Sequence, residues 1–265
     1  MTKQRTVVVT GSASGMGAAT KARLEADGQR VIGIDIRAAD IVADLGTADG
    51  RAAAIAGVGE AVDGAIDGLV TWAGVAGLTG VAGSLLVSIN YFGTIALLDG
   101  LRPLLANGER AAAVAISSNS TTCQPGVPMG LVASCLAGDE DAARLAGDAA
   151  GSLAAYPATK LAIARWVRRN APSAAWAGAG ITLNAVAPGA IETRMLQATR
   201  DDDTIGRFVD AFPVPVGRTG EPNELAAFVQ FLLGPDARFF CGSVVFVDGG
   251  TDALLRADAV PVPMA

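Results

Sequence analysis

Thr6-Val7-Val8-Val9-Thr10-Gly11-Ser12-Ala13-Ser14-Gly15-Met16-Gly17 decides the fold. A β-branched run ends at a glycine, and from Ala18 to Ala26 the pattern becomes that of a helix. Strand, glycine turn and helix therefore follow one another in that order. Gly11, Gly15 and Gly17 in a GxxxGxG spacing permit a tight turn, a close approach of backbone to a pyrophosphate, and close packing of helix on strand. The phosphates would lie at the helix N-terminus, beside Ser14 and Met16. A glycine pattern alone is only a turn, but between a strand and a helix it predicts a dinucleotide site.

Outward from this unit, Arg30 to Asp35 reads as a second strand with an acidic residue at its carboxyl end. Asp35 lies 24 positions after Gly11, near the spacing of about 20 expected for a ribose ligand. Its carboxylate would accept hydrogen bonds from adenosine ribose hydroxyls and repel a 2′-phosphate. The next residue is Ile36 rather than a basic one, so the cofactor predicted is NAD rather than NADP. Asp40 to Leu45 reads as a short third strand that begins too soon for a full crossover helix, with Asp44 and Leu45 near the adenine. Thr47 caps a helix through Arg51 to Ile55 with Asp49 in its first turn.

Gly68-Leu-Val-Thr71 is a fourth strand leaving through Trp72-Ala73-Gly74, suited to pass close beneath a cofactor. A long helix, roughly 85 to 105, carries Asn90, whose amide requires partners on an apolar helix. Ala111 to Ser117 is the fifth strand, followed by Ser118. Residues 119–152, with Pro125, Pro128 and Asp139-Glu140-Asp141, read as an insertion before the helix bearing Tyr156. Pro157 places the amino end of that helix near Tyr156. Ile181 to Ala187 is the sixth strand and exits through Pro188-Gly189. Residues 190–222 mix apolar side chains suited to a lid with a charged run, Arg200 to Asp203, expected to face water. An amphipathic helix from Glu224 to Leu233, a last strand from Ser243 to Val247 and a tail with Pro261 and Pro263 complete the chain. The tail is expected to be loose or to reach a neighbouring subunit. The fold class is α/β: one domain, a Rossmann-type doubly wound parallel sheet of about seven strands with helices on both faces.

Composition narrows the chemistry. Of 265 residues, 51% are hydrophobic and 17% charged, which favours extensive buried sheet and excludes disorder. A net charge of −6 without a basic cluster argues against a nucleic-acid partner. Histidine is absent, which removes serine-histidine catalysis and the commonest metal ligand; no metal is expected. Cys123, Cys135 and Cys241 lack CxxC spacing and read as small buried residues of a reducing compartment. No secretory signal is read at Met1 to Thr10, so the cytoplasm is expected. The uncharged run from Gly68 to Leu98 could span a bilayer by length, but its glycines and hydroxyls fit strand, loop and core helix better, so no membrane partner is expected.

Tyr156-Pro157-Ala158-Thr159-Lys160 sets a phenol and an ammonium on one helical face. A phenol with pKa near 10 is a poor base at neutral pH, and an adjacent cation would lower that value. Alone, this spacing fits any amphipathic helix.

Taken together, Thr10 with Gly11/Gly15/Gly17, Asp35, Ala73-Gly74, Asn90, Ser118, Tyr156/Lys160, Pro188-Gly189-Ala190 with Thr193, and Asp248-Gly249-Gly250 resemble the short-chain dehydrogenase/reductase family over nearly the whole chain. The abbreviated Gly33-to-Leu45 link, Asn90-Tyr-Phe-Gly93 and the 38-position separation of Ser118 from Tyr156 are most similar to its bacterial hydroxysteroid dehydrogenases. The resemblance implies Tyr156 as acid/base, Ser118 holding the substrate oxygen, and Lys160 lowering the tyrosine pKa and binding nicotinamide ribose. It implies that Asn90 holds a water in a proton relay and that Pro188, Gly189, Ile191 and Thr193 line the nicotinamide. The substrate implied is a small apolar secondary alcohol or ketone, foremost a hydroxysteroid, with a terpene alcohol or a general carbonyl compound as alternatives. A non-catalytic nicotinamide-sensing regulator would predict a degraded tyrosine, lysine or serine, and all three are intact. A homo-oligomer, dimer or tetramer, is implied, although the insertion before Tyr156 lies where such tetramers usually pair. Thr71-Trp72 stands where the family usually has two asparagines, so only the backbone role of Ala73-Gly74 carries over.

Overall fold

Each apolar run becomes a strand: β1 (Thr6–Thr10), β2 (Arg30–Asp35), β3 (Ile41–Val42), β4 (Gly68–Thr71), β5 (Ala112–Ile116), β6 (Thr182–Pro188) and β7 (Val244–Val247). In the computed structural model, which describes residues 4–209 and 211–260, they form one parallel sheet of order β3-β2-β1-β4-β5-β6-β7. The order reverses between β1 and β4. In open α/β sheets ligands bind beyond the carboxyl ends of the strands at such a point. Register sets Thr10 beside Ile34 on one side and Thr71 on the other. The glycine turn, Asp35 and Ala73-Gly74 therefore leave the sheet at one level.

The helices are α1 (Gly15–Ala26), α2 (Ala48–Ala61), α3 (Gly83–Leu86), α4 (Thr94–Ala106), α5 (Ser120–Cys123), α6 (Met129–Ala137), α7 (Glu140–Ala150), α8 (Ser152–Asn170), α9 (Arg194–Arg200), α10 (Gly206–Val209), α11 (Pro222–Leu233) and α12 (Thr251–Leu255). Strand alternation divides the core into two layers. Val8, Leu69, Ala113 and Leu183 pack with Leu97, Leu101 and Ile163. Val7, Val9, Val70 and Val114 pack with Leu24, Leu225 and Val229 on the opposite face. Asp40 closes the abbreviated link before β3, its Oδ2 accepting from the Gly33 amide at 2.7 Å and from Lys21 Nζ at 2.8 Å.

The uncharged run divides into β4, a loop and helix, as expected. Gly83–Ala106 is long and apolar enough to cross a membrane, but its Leu97, Leu98, Leu101 and Leu105 belong to the core. Between α3 and α4 it passes through a π-helical segment, Val87–Gly93, which carries Asn90. Such segments collect at functional sites, and no sequence pattern announced this one.

Several boundaries differ from expectation. α8 begins at Ser152, so Pro157 lies beyond its first turn. Proline there leaves the Leu153 carbonyl without its helical donor, and Gln124 Nε2 donates to that oxygen at 2.9 Å. The same helix ends at Asn170; Trp176 lies beyond it and meets Trp166 edge-on. The charged run 200–203 does more than face water. Arg200 forms a two-pronged ion pair with Glu192, both contacts 2.9 Å, and Asp202 bonds Thr79. Only Cys135 is buried; Cys123 is half-buried, and Cys241 is exposed at the turn into edge strand β7. Pro261 and Pro263 lie outside the described residues.

Candidate active site

Tyr156 stands one turn into α8, and Ser118 just past the end of β5. The insertion returns the chain so that the Ser118 hydroxyl lies near enough to Tyr156 to lower the phenol's pKa. Ser118 Oγ accepts from the Ser120 amide at 3.1 Å, which fixes it at the lip of the sheet. Burial pushes the Tyr156 phenol above its ordinary value, and the Ser118 hydroxyl opposes that shift. Lys160, only 4% exposed, is pushed down to about 8 by burial. Its Nζ donates to the Ile116 carbonyl at 3.1 Å, and Ser117 Oγ donates to the Lys160 carbonyl at 3.0 Å. The expectation that Lys160 depresses the tyrosine finds no expression in this geometry. Burial dominates both groups, and the ammonium is directed at the end of β5.

Asn90 is fully buried and grips the backbone of Val75: Oδ1 accepts from the Val75 amide at 2.8 Å and Nδ2 donates to its carbonyl at 3.0 Å. Main chain takes one acceptor site and one donor of its carboxamide and leaves the other of each. A Cβ on Gly74 would lie 3.0 Å from Asn90 Oδ1 and 3.6 Å from Lys160 Nζ. Gly74, Asn90 and Lys160 therefore meet at one point. The same loop runs past the tyrosine: a Cβ on Gly77 would lie 3.0 Å from Tyr156 Cβ, and Ser152 Oγ donates to the Leu78 carbonyl.

The opposite wall is the glycine turn. Gly11 has φ of 64° and Gly15 φ of 54°, in the left-handed region that favours glycine. A Cβ on Gly11 would lie 2.9 Å from the Ala73 amide nitrogen, and one on Gly17 would collide with the Gly11 carbonyl. Thr10 Oγ1 accepts from that Ala73 amide at 2.9 Å, so the turn and the β4 exit form one wall. Trp72 serves elsewhere, donating its indole N–H to Thr20 Oγ1 at 2.9 Å. Ser14 takes the cap position of α1 without a capping side-chain bond, and Met16 packs partly against the core.

Asp35 sits at the end of β2 with Oδ2 accepting from the Ala13 amide at 3.0 Å and Oδ1 from the Ile36 amide at 2.7 Å. Ile36 projects outward, 62% exposed. Asp44 is exposed and accepts from the Gly46 amide at 2.8 Å, while Leu45 is buried in the core. Across the site, the Pro188 carbonyl accepts from the Asn119 amide at 3.0 Å, which joins the exits of β5 and β6. A Cβ on Gly189 would lie 2.7 Å from Asp248 Cα. Ile191 is buried, and Thr193 caps α9, its Oγ1 accepting from the Leu196 amide at 3.2 Å. A Cβ on Gly15 would touch Thr193 Cγ2 at 3.4 Å. The two walls thus approach each other at Gly15 and Thr193, with Asp35 and Asp44 at one end and Tyr156 and Ser118 at the other.

Sequence reasoning missed the groups that hold this arrangement: Ser117 and the Ile116 carbonyl on Lys160, Val75 on Asn90, Gln124 on α8, and Thr79 with Asp202. Pro157 could have pointed to a donor for Leu153. The others join distant segments and leave no local signal.

The enoyl-(acyl carrier protein) reductase family model matches residues 142–252. The chain is 43% identical over 254 residues to a 3-alpha-hydroxysteroid dehydrogenase/carbonyl reductase of Comamonas testosteroni, covering 94% of this chain and 97% of that one. It is similar, with TM-score 0.91 and 48% identity over 96% of this chain and 99% of the other, to the crystal structure of a 3-alpha-hydroxysteroid dehydrogenase from Pseudomonas sp. B-0831 complexed with NADH. Levodione reductase shares the fold at TM-score 0.74 and 26% identity, covering 94% of this chain and 98% of the other.

Proposed function

The chain belongs to the short-chain dehydrogenase/reductase family, and from that premise we propose that this oxidoreductase interconverts a secondary alcohol and its ketone with NAD, most specifically at a ring hydroxyl of a steroid. The observation that carries the reading is the meeting of Ser118, Tyr156 and Lys160 at the mouth of a crevice whose far end is the glycine turn and Asp35.

The crevice suits the cofactor. Its turn leaves no room for side chains at Gly11 and Gly17, and the N-terminus of α1 that follows it is the kind of place where a pyrophosphate would bind. Asp35 keeps acceptor capacity for ribose hydroxyls beyond its two backbone bonds. Its charge, beside exposed Ile36, favours NAD over a 2′-phosphorylated cofactor. Asp44 and Leu45 would border the adenine, and Pro188, Gly189, Ile191 and Thr193 the nicotinamide. When bound, NAD supplies the acceptor for the hydride leaving the carbinol carbon.

The protein's own part is proton transfer and orientation. In reduction, Tyr156 gives its phenolic proton to the ketone oxygen while the Ser118 hydroxyl holds that oxygen. In oxidation the phenolate takes the proton back. Burial favours the neutral phenol, so the site is prepared as a proton donor. Lys160, held near neutrality at about 8, is the next group able to exchange that proton. Residues 190–222 would cover the substrate, with Met195 and Leu196 of α9 among their apolar members.

Steroid substrates are supported by the identity to two 3-alpha-hydroxysteroid dehydrogenases over nearly the full chain. Exposed Phe231 on α11 and Phe239 on the approach to edge strand β7 support a homo-oligomer, and three free thiols support a reducing, cytoplasmic setting. The test is nicotinamide absorbance with purified protein, NAD, and a panel of 3α-, 3β- and 17β-hydroxysteroids beside simple cyclic alcohols. Turnover with at least one hydroxysteroid is expected. Turnover confined to cyclic alcohols would defeat the steroid assignment, and none with any alcohol or ketone would defeat the reaction.

A further inference from the structure

The insertion does more than lengthen the path from Ser118 to Tyr156. Its helix α7 lies against the helix that carries Asn90, with Glu140, Arg144, Gly147 and Asp148 on one face, as spacings of four, seven and eight residues require. Each makes a specific contact. Asp148 Oδ1 accepts from the Ser84 amide at 2.8 Å at the start of α3. Gly147 meets Gly83 backbone to backbone, and a Cβ on Gly147 would lie 2.8 Å from Val87 Cγ2. Arg144 NH1 donates to the hydroxyl of Ser88, a fully buried residue of the π-helical segment, and Ser88 lies near enough to Glu140 to lower its carboxyl pKa. Two residues beyond Ser88, Asn90 grips Val75 and borders Gly74 and Lys160.

The same Glu140 joins the other end of the crevice. Arg51 of α2, 8% exposed, donates to both its carboxylate oxygens at 2.9 and 2.7 Å. Arg51 Nε also donates to the Thr47 carbonyl at 3.1 Å, and Thr47 Oγ1 to the Asp44 carbonyl at 3.2 Å. Arg51 is nearly buried while the Glu140 side chain keeps 28% exposure, so the pair is partly desolvated, and its two-pronged geometry fixes the direction of α7 against α2. The π-helical segment, whose hydrogen bonding departs from that of an α-helix, packs against the insertion through α7 and against α8 on the side of the tyrosine.

We propose that Glu140 and Arg144 are positioning residues: by fixing Ser88 they hold the π-helical turn so that Asn90 keeps the Val75–Gly74 backbone in place beside Lys160. The insertion is thereby part of the site's scaffold. The kinetic consequence rests on the reaction assigned above; the structural consequence does not.

Hydrogen exchange of the full chain, without cofactor or substrate, tests it directly. Arg144→Met and Ser88→Ala each remove the Arg144–Ser88 bond, and Arg144→Lys keeps a donor. In the first two, backbone amides of residues 73–79 should exchange about tenfold faster, while those of β1 and β6 keep wild-type rates. The lysine variant should restore protection. In turnover the first two should lose kcat about tenfold with the alcohol KM within about twofold of wild type. Unchanged exchange at 73–79 overturns the proposal, as does acceleration spread evenly over the sheet. Should Arg144→Met fail to fold, Ser88→Ala decides by the same two outcomes. Wild-type protein without turnover would defeat the assigned reaction and leave exchange to judge the scaffold.

Discussion

Tyr156 and Lys160 show how one environment acts oppositely on two groups. Burial disfavours whichever form is charged, so it raises the phenol and lowers the ammonium. Replacing Tyr156 by Phe removes the phenolic proton that the proposed reaction transfers, without touching the glycine turn. Turnover should fall by about three orders of magnitude with NADH binding, followed by fluorescence, kept within a fewfold of wild type. Retained turnover would remove Tyr156 from the chemistry. Lys160 carries a stability consequence whose sign follows from its folded value of about 8, below the ordinary 10.5. Below pH 8 the folded protein bears the full cost of a buried ammonium; as pH rises toward 10.5 that cost disappears. Lys160→Met should therefore gain stability over wild type at pH 7, and that gain should be about 2 kcal/mol larger than at pH 10. Urea unfolding of both proteins at the two pH values measures it. An advantage independent of pH would show that the folded lysine is not depressed.

Among the elements, the segment after β6 is fastened by charge as well as covered by apolar side chains. Asp202 takes the Thr79 amide at 2.7 Å and the Thr79 hydroxyl at 2.9 Å, and also accepts from the Thr204 amide at 2.9 Å. The Thr79 amide is the largest of the influences that bring its carboxyl down to about 2. Thr79 continues the loop that passes Tyr156, so this carboxylate ties the segment after β6 to that loop. Asp202→Ala should speed proteolytic cleavage within α9 and α10 and raise the alcohol KM about five- to tenfold, with a smaller effect on kcat. Limited proteolysis and steady-state kinetics check it; wild-type cleavage and KM would show that the tie is dispensable. Asp202 was legible only as one member of a charged run, because its partner is 123 residues away in sequence.

For the molecule as a whole, the thiols report how burial is distributed. Cys241 is exposed, whereas Cys135 belongs to the core and its thiol is pushed up to about 12 by burial. A chromogenic disulfide reagent at pH 8 should label Cys241 within minutes and Cys135 only on unfolding. Equal rates would mean that α6 does not stay packed on α8. Sequence by itself determined the apolar runs that become strands and the parallel α/β class, and it nominated Tyr156, Lys160, Ser118 and Asp35 for the site. The strands and the glycine turn rest on local signals, β-branched runs and glycines where backbones must approach; the roles of Tyr156, Lys160 and Ser118 rest on the resemblance to a family. Tertiary structure alone decided that Lys160 turns to Ile116, that Asn90 grips Val75, that Gln124 repairs the break made by Pro157, and that α7 braces a π-helical turn. Each of these depends on contacts between segments far apart in the chain, and the burial that sets the pKa values exists only once those segments have packed.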